Sequence, residues 1–261
     1  MPFPSDSGNV KLGKGSLLLD RLTSAGVSTG FEFVGNCSSL TLSAEKQEAE
    51  IYSGSQSTAP LLARAVTRLS FSIVATLHEY TLANLRSFLA GEANTKTQAV
   101  SAAGSKTVAA ESVFVGRAYD TGARQITNVV VTQDGTDVLV EDTDYIVYDE
   151  FGIIHLLTTG AARSGVETVI EWDQPALSIS QVRLLKEASP SVHLLYLADD
   201  ANVDGAAAKD RLECWKCNIA GDGDLNLISD DFGSFQLTMS VQSDATNHPL
   251  DPYGTLDRIE A

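Results

Sequence analysis

Leu69-Ser70-Phe71-Ser72-Ile73-Val74-Ala75-Thr76-Leu77 alternates residue by residue. Leu69, Phe71, Ile73, Ala75 and Leu77 fall on one side, and Ser70, Ser72, Val74 and Thr76 on the other. That two-residue period predicts a half-buried β-strand. The pattern returns near the end of the chain, where Phe235, Leu237, Met239 and Val241 alternate with Gln236, Thr238 and Ser240. In both stretches the second face carries Ser, Thr and Gln in place of Lys and Glu, a neutral and β-prone surface suited to association. Around the first strand lie GSLLLDRL (15–22), GFEFVG (30–35) and CSSLTLS (37–43), all read as strands. Thr81 to Ala90 reads as a short helix, with Thr81 as cap, Leu82, Leu85 and Leu89 as a stripe against a sheet, and Gly91 as stop. Residues 44–60, AEKQEAEIYSGSQSTAP, are polar and long for a hairpin connection, which predicts an interaction loop.

Residues 92–112 are small and polar and read as a linker or mobile loop. Beyond them ITNVVVT (126–132), the turn dipeptide Asp134-Gly135, DVLV (137–140), DYIVYD (144–149), GIIHLL (152–157) and ETVIEW (167–172) predict a small sandwich or barrel. The longer strand patterns resume at SISQVRLL (178–185), VHLLYLA (192–198) and RLECWKCNIA (211–220). The expected architecture is a mainly β protein with one domain split in sequence, residues 1–110 and 176–261, and an inserted β domain at 111–175.

The net charge is −16, distributed as +1 over residues 1–110, −9 over 111–175 and −8 over 176–261. No basic stretch is suited to gripping phosphates, so stable nucleic-acid binding is not expected. No apolar run has the length of a membrane span. Three cysteines, Cys37, Cys214 and Cys217, do not make a disulfide framework and suit a reducing compartment. Cys214-Trp215-Lys216-Cys217 is a lone C-x-x-C without a second zinc pair. In a regular strand its thiols point to opposite faces, one buried and one half-exposed. Asp200 to Gly205 imitates half of a calcium loop, but Arg211 stands where a bidentate Glu is required. Asp222, Asp224 and Asn226 share ligand spacing without the glycine, and turn chemistry accounts for both segments. No nucleophile elbow, metalloprotease helix or phosphate loop is present, so the chain is read as non-enzymatic, with no cofactor and no metal.

Four stretches together resemble the major tail tube proteins of long-tailed, siphovirus-like bacteriophages. They are GNVKLGKGSLLLDRL (8–22), GFEFVGNCSSLTLSAEKQEAEIYSG (30–54), PLLARAVTRLSFSIVATLHEYTLANLRSFLAGE (60–92) and CNIAGDGDLNLISDDFGSFQLTMSVQSD (217–244). The ordered set carries the resemblance, over about two-thirds of the chain. It implies a tail-tube β-sandwich with a flanking short α-helix, and the insertion is read as a small Ig-like or barrel-like β domain. It further implies homohexameric rings stacked into a tube that conducts the genome during ejection, in a virion tail assembled in the host cytoplasm. Implied partners are other copies of the chain, a tape measure protein, a tail terminator and distal tail proteins. DNA would pass through without stable binding, and no membrane insertion is implied. On this reading the 44–60 loop makes the ring-to-ring contact. Glu45, Lys46, Glu48, Glu50 and Tyr52 would reach Lys14, Arg64 or Arg68 of a neighbour. The arm 1–10 and the tail 244–261 are further candidates for neighbour contacts.

The same resemblance extends to close relatives that share the fold, a tail terminator, a baseplate ring or a secretion-system tube, and two other readings compete. One is a virion-surface, adhesin-like or carbohydrate-binding β protein, using Tyr145, Tyr148 and Trp172 of the insertion. The other is a glycosidase with paired carboxylates, a pairing that exists only in space.

Overall fold

In the computed structural model, residues 11–55, 61–199, 201–202 and 209–259 are described. The first block contains β1 (Lys11–Leu12), β2 (Gly15–Arg21), β3 (Phe31–Phe33), β4 (Cys37–Tyr52), β5 (Leu61–Leu77) and α1 (Leu82–Phe88). The middle holds β6 (Glu92–Gln98), β7 (Ser101–Val108), β8 (Ala118–Asp120), β9 (Thr127–Gln133) and β10 (Asp137–Val138). It continues through β11 (Tyr145–Tyr148), β12 (Ile153–Leu156), β13 (Thr168–Gln174) and β14 (Leu177–Arg183). The last block has β15 (Ser191–Ala198), β16 (Ala201–Asn202), β17 (Lys209–Asp222), β18 (Phe235–Val241) and β19 (Thr255–Ile259). The protein is mainly β. It divides into two units, residues 1–93 with 182–261, and residues 94–181.

The insertion is therefore longer than the expected 111–175. The supposed linker at 92–112 is largely strand, β6 and β7. Its residues are small for a packing reason. A Cβ on Gly104 would lie 2.5 Å from the indole of Trp172 on the neighbouring strand. β6 and β14, which carry the chain between the units, pair with each other as a two-stranded sheet.

In the split unit, eight antiparallel strands form one sheet in the order β3-β2-β15-β17-β18-β5-β4, with β19 also pairing β17. Alternation decides its core. Ile73, Ala75 and Leu77 of β5, Leu237 and Met239 of β18, Ile219 of β17 and Leu194 of β15 are fully or almost fully buried. β19 shows that the tail is not a loose arm, because Lys209–Glu213 pairs with Thr255–Ile259. The arm 1–10 lies outside the described residues.

α1 is capped as expected, the Asn84 N–H donating to Thr81 Oγ1 at 3.2 Å. It does not bury the expected leucine stripe. Leu82 is exposed, whereas Asn84 and Ser87 are buried and Phe88 packs against Phe235. The reason is polar: Asn84 Nδ2 donates to the carbonyls of Val34 at 2.8 Å and Glu79 at 2.9 Å. Two otherwise unpaired loop carbonyls fix which side of the helix turns inward.

The inserted unit is built from a four-stranded sheet, β10-β9-β13-β7, and a three-stranded sheet, β11-β12-β8, sharing one core. Val131, Ile170 and Trp172 from the first meet Tyr145, Ile154 and Leu156 from the second. Asp134 and Gly135 both have positive φ, 52° and 70°, as the tight β9–β10 turn requires.

Candidate functional site

β4 and β5 are 16 and 17 residues long, well beyond the ordinary strand. Only their inner parts lie beside a third strand, since β18 pairs β5 from Ser72 to Leu77. Outside that, nine pairs from Ala44–Phe71 to Tyr52–Leu61 continue as a two-stranded arm, about 30 Å long at the usual rise per residue. The expected interaction loop at 44–60 is therefore mostly strand. Residues 44–52 form the arm's outer edge, 53–55 follow it, and 56–60 lie outside the described residues.

The arm has two faces, and a bulge sets them. The register jumps from Gln47↔Arg68 to Glu48↔Val66, leaving Thr67 unpaired, its hydroxyl donating to the Gln47 carbonyl at 3.2 Å. Without the bulge Arg64 and Arg68 would share a face. With it, Arg64 stands opposite Glu50, and Arg68 lies on the other side opposite Gln47. The first face carries Lys46, Glu48, Glu50 and Tyr52 beside Leu61, Arg64, Val66 and Leu69. Glu48 binds both Lys46 and Arg64, Arg64 reaches Glu50 at 3.5 Å, and the Tyr52 hydroxyl donates to Glu50. The neighbouring Glu50 raises the Tyr52 phenol above its ordinary pKa. Glu48 is tucked beneath its partners at 11% exposure, while Lys46 and Arg64 stand outward at 55% and 57%.

Of the expected contact residues, Glu48, Glu50 and Arg64 meet within one chain, with Arg64 still standing outward at 57% exposure. Glu45 faces the other side, opposite Ser70. Lys14 sits at the β1–β2 turn, where its carbonyl accepts from the Asp199 N–H at 2.8 Å and the Tyr196 hydroxyl at 2.9 Å. The charges are not the arm's main feature. Leu61, Leu62, Val66, Leu69, Ile51 and Tyr52 are each about half exposed or more, with Leu69 at 67%. An isolated two-stranded ribbon is marginal in water, and surface ion pairs add little. β4 is also an edge strand of the sheet along its full length, so it offers unpaired backbone groups to another chain.

Continuing inward, the second face of the arm becomes the neutral face of the sheet. Ser72, Val74 and Thr76 lie beside Gln236, Thr238 and Ser240 in register. None of these six is buried.

Elsewhere in the split unit, an open groove of about 930 Å³ is lined by His193, Trp215, Lys216, Asn247 and His248, among others. The His248 ring stacks on Trp215 at 3.9 Å, and His193 Nε2 lies 3.0 Å from Glu213 Oε1, itself paired to Arg211. Sequence reading missed this groove because its walls come from four separate segments.

The thiols correct a second expectation. Cys214 and Cys217 are both buried, at 2% and 0% exposure, and both are free. Between Val192↔Cys217 and Leu194↔Cys214 two residues, Trp215 and Lys216, oppose one, His193. This bulge resets the alternation and turns both sulfurs into the core. The Cys214–Cys217 contact holds one thiol low, while that contact and burial push Cys217 up. No cluster of three or more His, Cys, Asp or Glu fit for a metal occurs among the described residues. The Asp200–Gly205 motif falls largely outside them. No described helix is long and apolar enough to cross a membrane. In the inserted unit, Trp172 and Tyr145 are core residues at 6% and 2% exposure, so neither is a surface platform; Tyr148 is exposed.

No curated protein matches the chain. A family model described as "Protein of unknown function UCP028589" matches residues 11–259, so the chain belongs to that uncharacterised family.

Proposed function

We propose that the protein is a structural, non-enzymatic subunit of a phage tail tube, forming hexameric rings that stack into a conduit for genome ejection. The observation that carries this reading is the arm. A ribbon of nine pairs leaves the core with large apolar side chains in water on both strands. Such a ribbon gains most when another copy covers it. Closing the sheets of several copies into a ring also removes the long β4 edge. The neutral Ser, Thr and Gln face suits a wall that DNA slides past, and the net charge of −16 disfavours holding it. On this reading the partners are other copies, a tape measure protein, a terminator and distal tail proteins, and the place of action is the virion tail. The carbohydrate-binding alternative loses two of its three aromatic residues to the core of the inserted unit.

The reading is tested by shortening the arm. Replacing residues 46–68 with an Asn-Gly turn removes no described residue of the hydrophobic core. The variant should keep its far-UV spectrum and remain a small particle under conditions where the full chain sediments as polymer. Polymers of normal length from the shortened chain would sink the arm's assigned role.

A further inference from the structure

The loop from residue 223 to 234 joins β17 to β18 and carries three of the most exposed apolar side chains among the described residues. Leu227 is 78% exposed, Ile228 97% and Phe232 98%. The loop is not detached at its base. Leu225 packs on the core, and the Tyr80 hydroxyl donates to the Asn226 carbonyl at 3.4 Å. Around the three apolar residues stand Asp224, Asp230 and Asp231, and no Lys or Arg occurs between Lys216 and Arg258.

The strand register fixes where this loop lies relative to the arm. Phe235, just after the loop, pairs with Leu77, whereas Ser240 pairs with Ser72. The arm extends from the Ser72 side of β5 and the loop from the Leu77 side. They therefore leave opposite ends of the same strand pair. Their chemistry is complementary. The arm's first face offers Leu61, Val66 and Leu69, with Lys46 and Arg64 standing outward over Glu48 and Glu50, which already pair them, and the loop offers apolar tips among aspartates.

We propose that the 223–234 loop of one copy docks on the arm of the next copy, in a head-to-tail contact that sets the stacking direction. The proposal deepens the tube reading and rests on it. A contact between two different surfaces is heterologous, and wherever its rotation does not close a ring it repeats into an open filament.

The test uses two variants of the full chain and analytical ultracentrifugation. Ile228→Asp/Phe232→Asp keeps the arm and disables the loop. Val66→Asp/Leu69→Asp does the reverse, with Lys46→Glu/Arg64→Glu as a second arm variant should the first fail to fold. Far-UV spectra check folding. Each variant alone should stay at its basal mass while the wild type extends. Mixing a loop variant with an arm variant should give a species of twice that mass that grows no further, because one intact contact remains per pair. A loop variant that extends like the wild type overturns the contact and leaves the tube reading standing. Two inactive variants whose mixture stays at the basal mass overturn the loop–arm pairing. A wild type that never extends removes the tube reading and this contact with it.

Discussion

Gly104 sits under the indole of Trp172, and that contact explains why the segment around it looks like a linker. A side chain there has nowhere to go, so Gly104→Val should destabilise the inserted unit by about 1–3 kcal/mol through overpacking. Urea unfolding of the full chain followed by Trp fluorescence measures it; an unchanged midpoint would contradict the packing. Asn84 makes a similar point in the split unit. Asn84→Ala leaves the Val34 and Glu79 carbonyls without their donor and should cost about 1–3 kcal/mol, read in the same way. The leucine spacing of α1 was legible, but the polar demand of two distant carbonyls was not. Asp144 accepts from the N–H groups of Val140 at 2.7 Å and Ala161 at 2.5 Å, which hold its carboxyl below the usual range. A lowered folded-state pKa gives stability that is present above the unfolded value and lost as pH falls through the folded one. The thermal stability gap between wild type and Asp144→Asn should therefore be full near about pH 6 and close below about pH 4. A gap independent of pH would refute the assignment.

Strand elements were read well where alternation is unbroken, as at Leu69–Leu77 and Phe235–Val241, and badly where a bulge intervenes. Counting by twos separates Cys214 from Cys217 and joins Arg64 to Arg68. The bulges at Trp215–Lys216 and Thr67 reverse both results. Nothing in the local sequence announces either bulge, since each depends on the register of the partner strand. The arm itself was hidden for another reason. Residues 44–52 are rich in Ala and Glu and residues 61–69 in Leu, Ala and Arg, with Val66 and Thr67 the exceptions, so neither segment favours a strand alone and their mutual pairing makes both strand. Such a ribbon has little support of its own. Its amides should exchange rapidly in the isolated subunit and become strongly protected in the assembly, as hydrogen exchange on the two species would show. Equal protection in both would mean that the arm is not an assembly element.

Across the whole molecule, alternation and turn signals pointed to a β protein, the sequence holds no recognisable catalytic motif, and the split of the chain around an insertion was legible. The limits of the insertion were not, because the small residues of β7 are chosen by Trp172, far away in sequence. The features proposed to act in assembly, the arm, the 223–234 loop and the neutral sheet face, belong to the split unit. A chain in which a short linker replaces residues 94–181 should still polymerise, and loss of assembly would place an essential contact in the inserted unit. Whether the intact protein builds a tube is answered by electron microscopy of the purified chain at high concentration, with its mass in solution. Hollow tubes built of stacked rings are the predicted result. A small, monodisperse particle at every concentration would contradict the account.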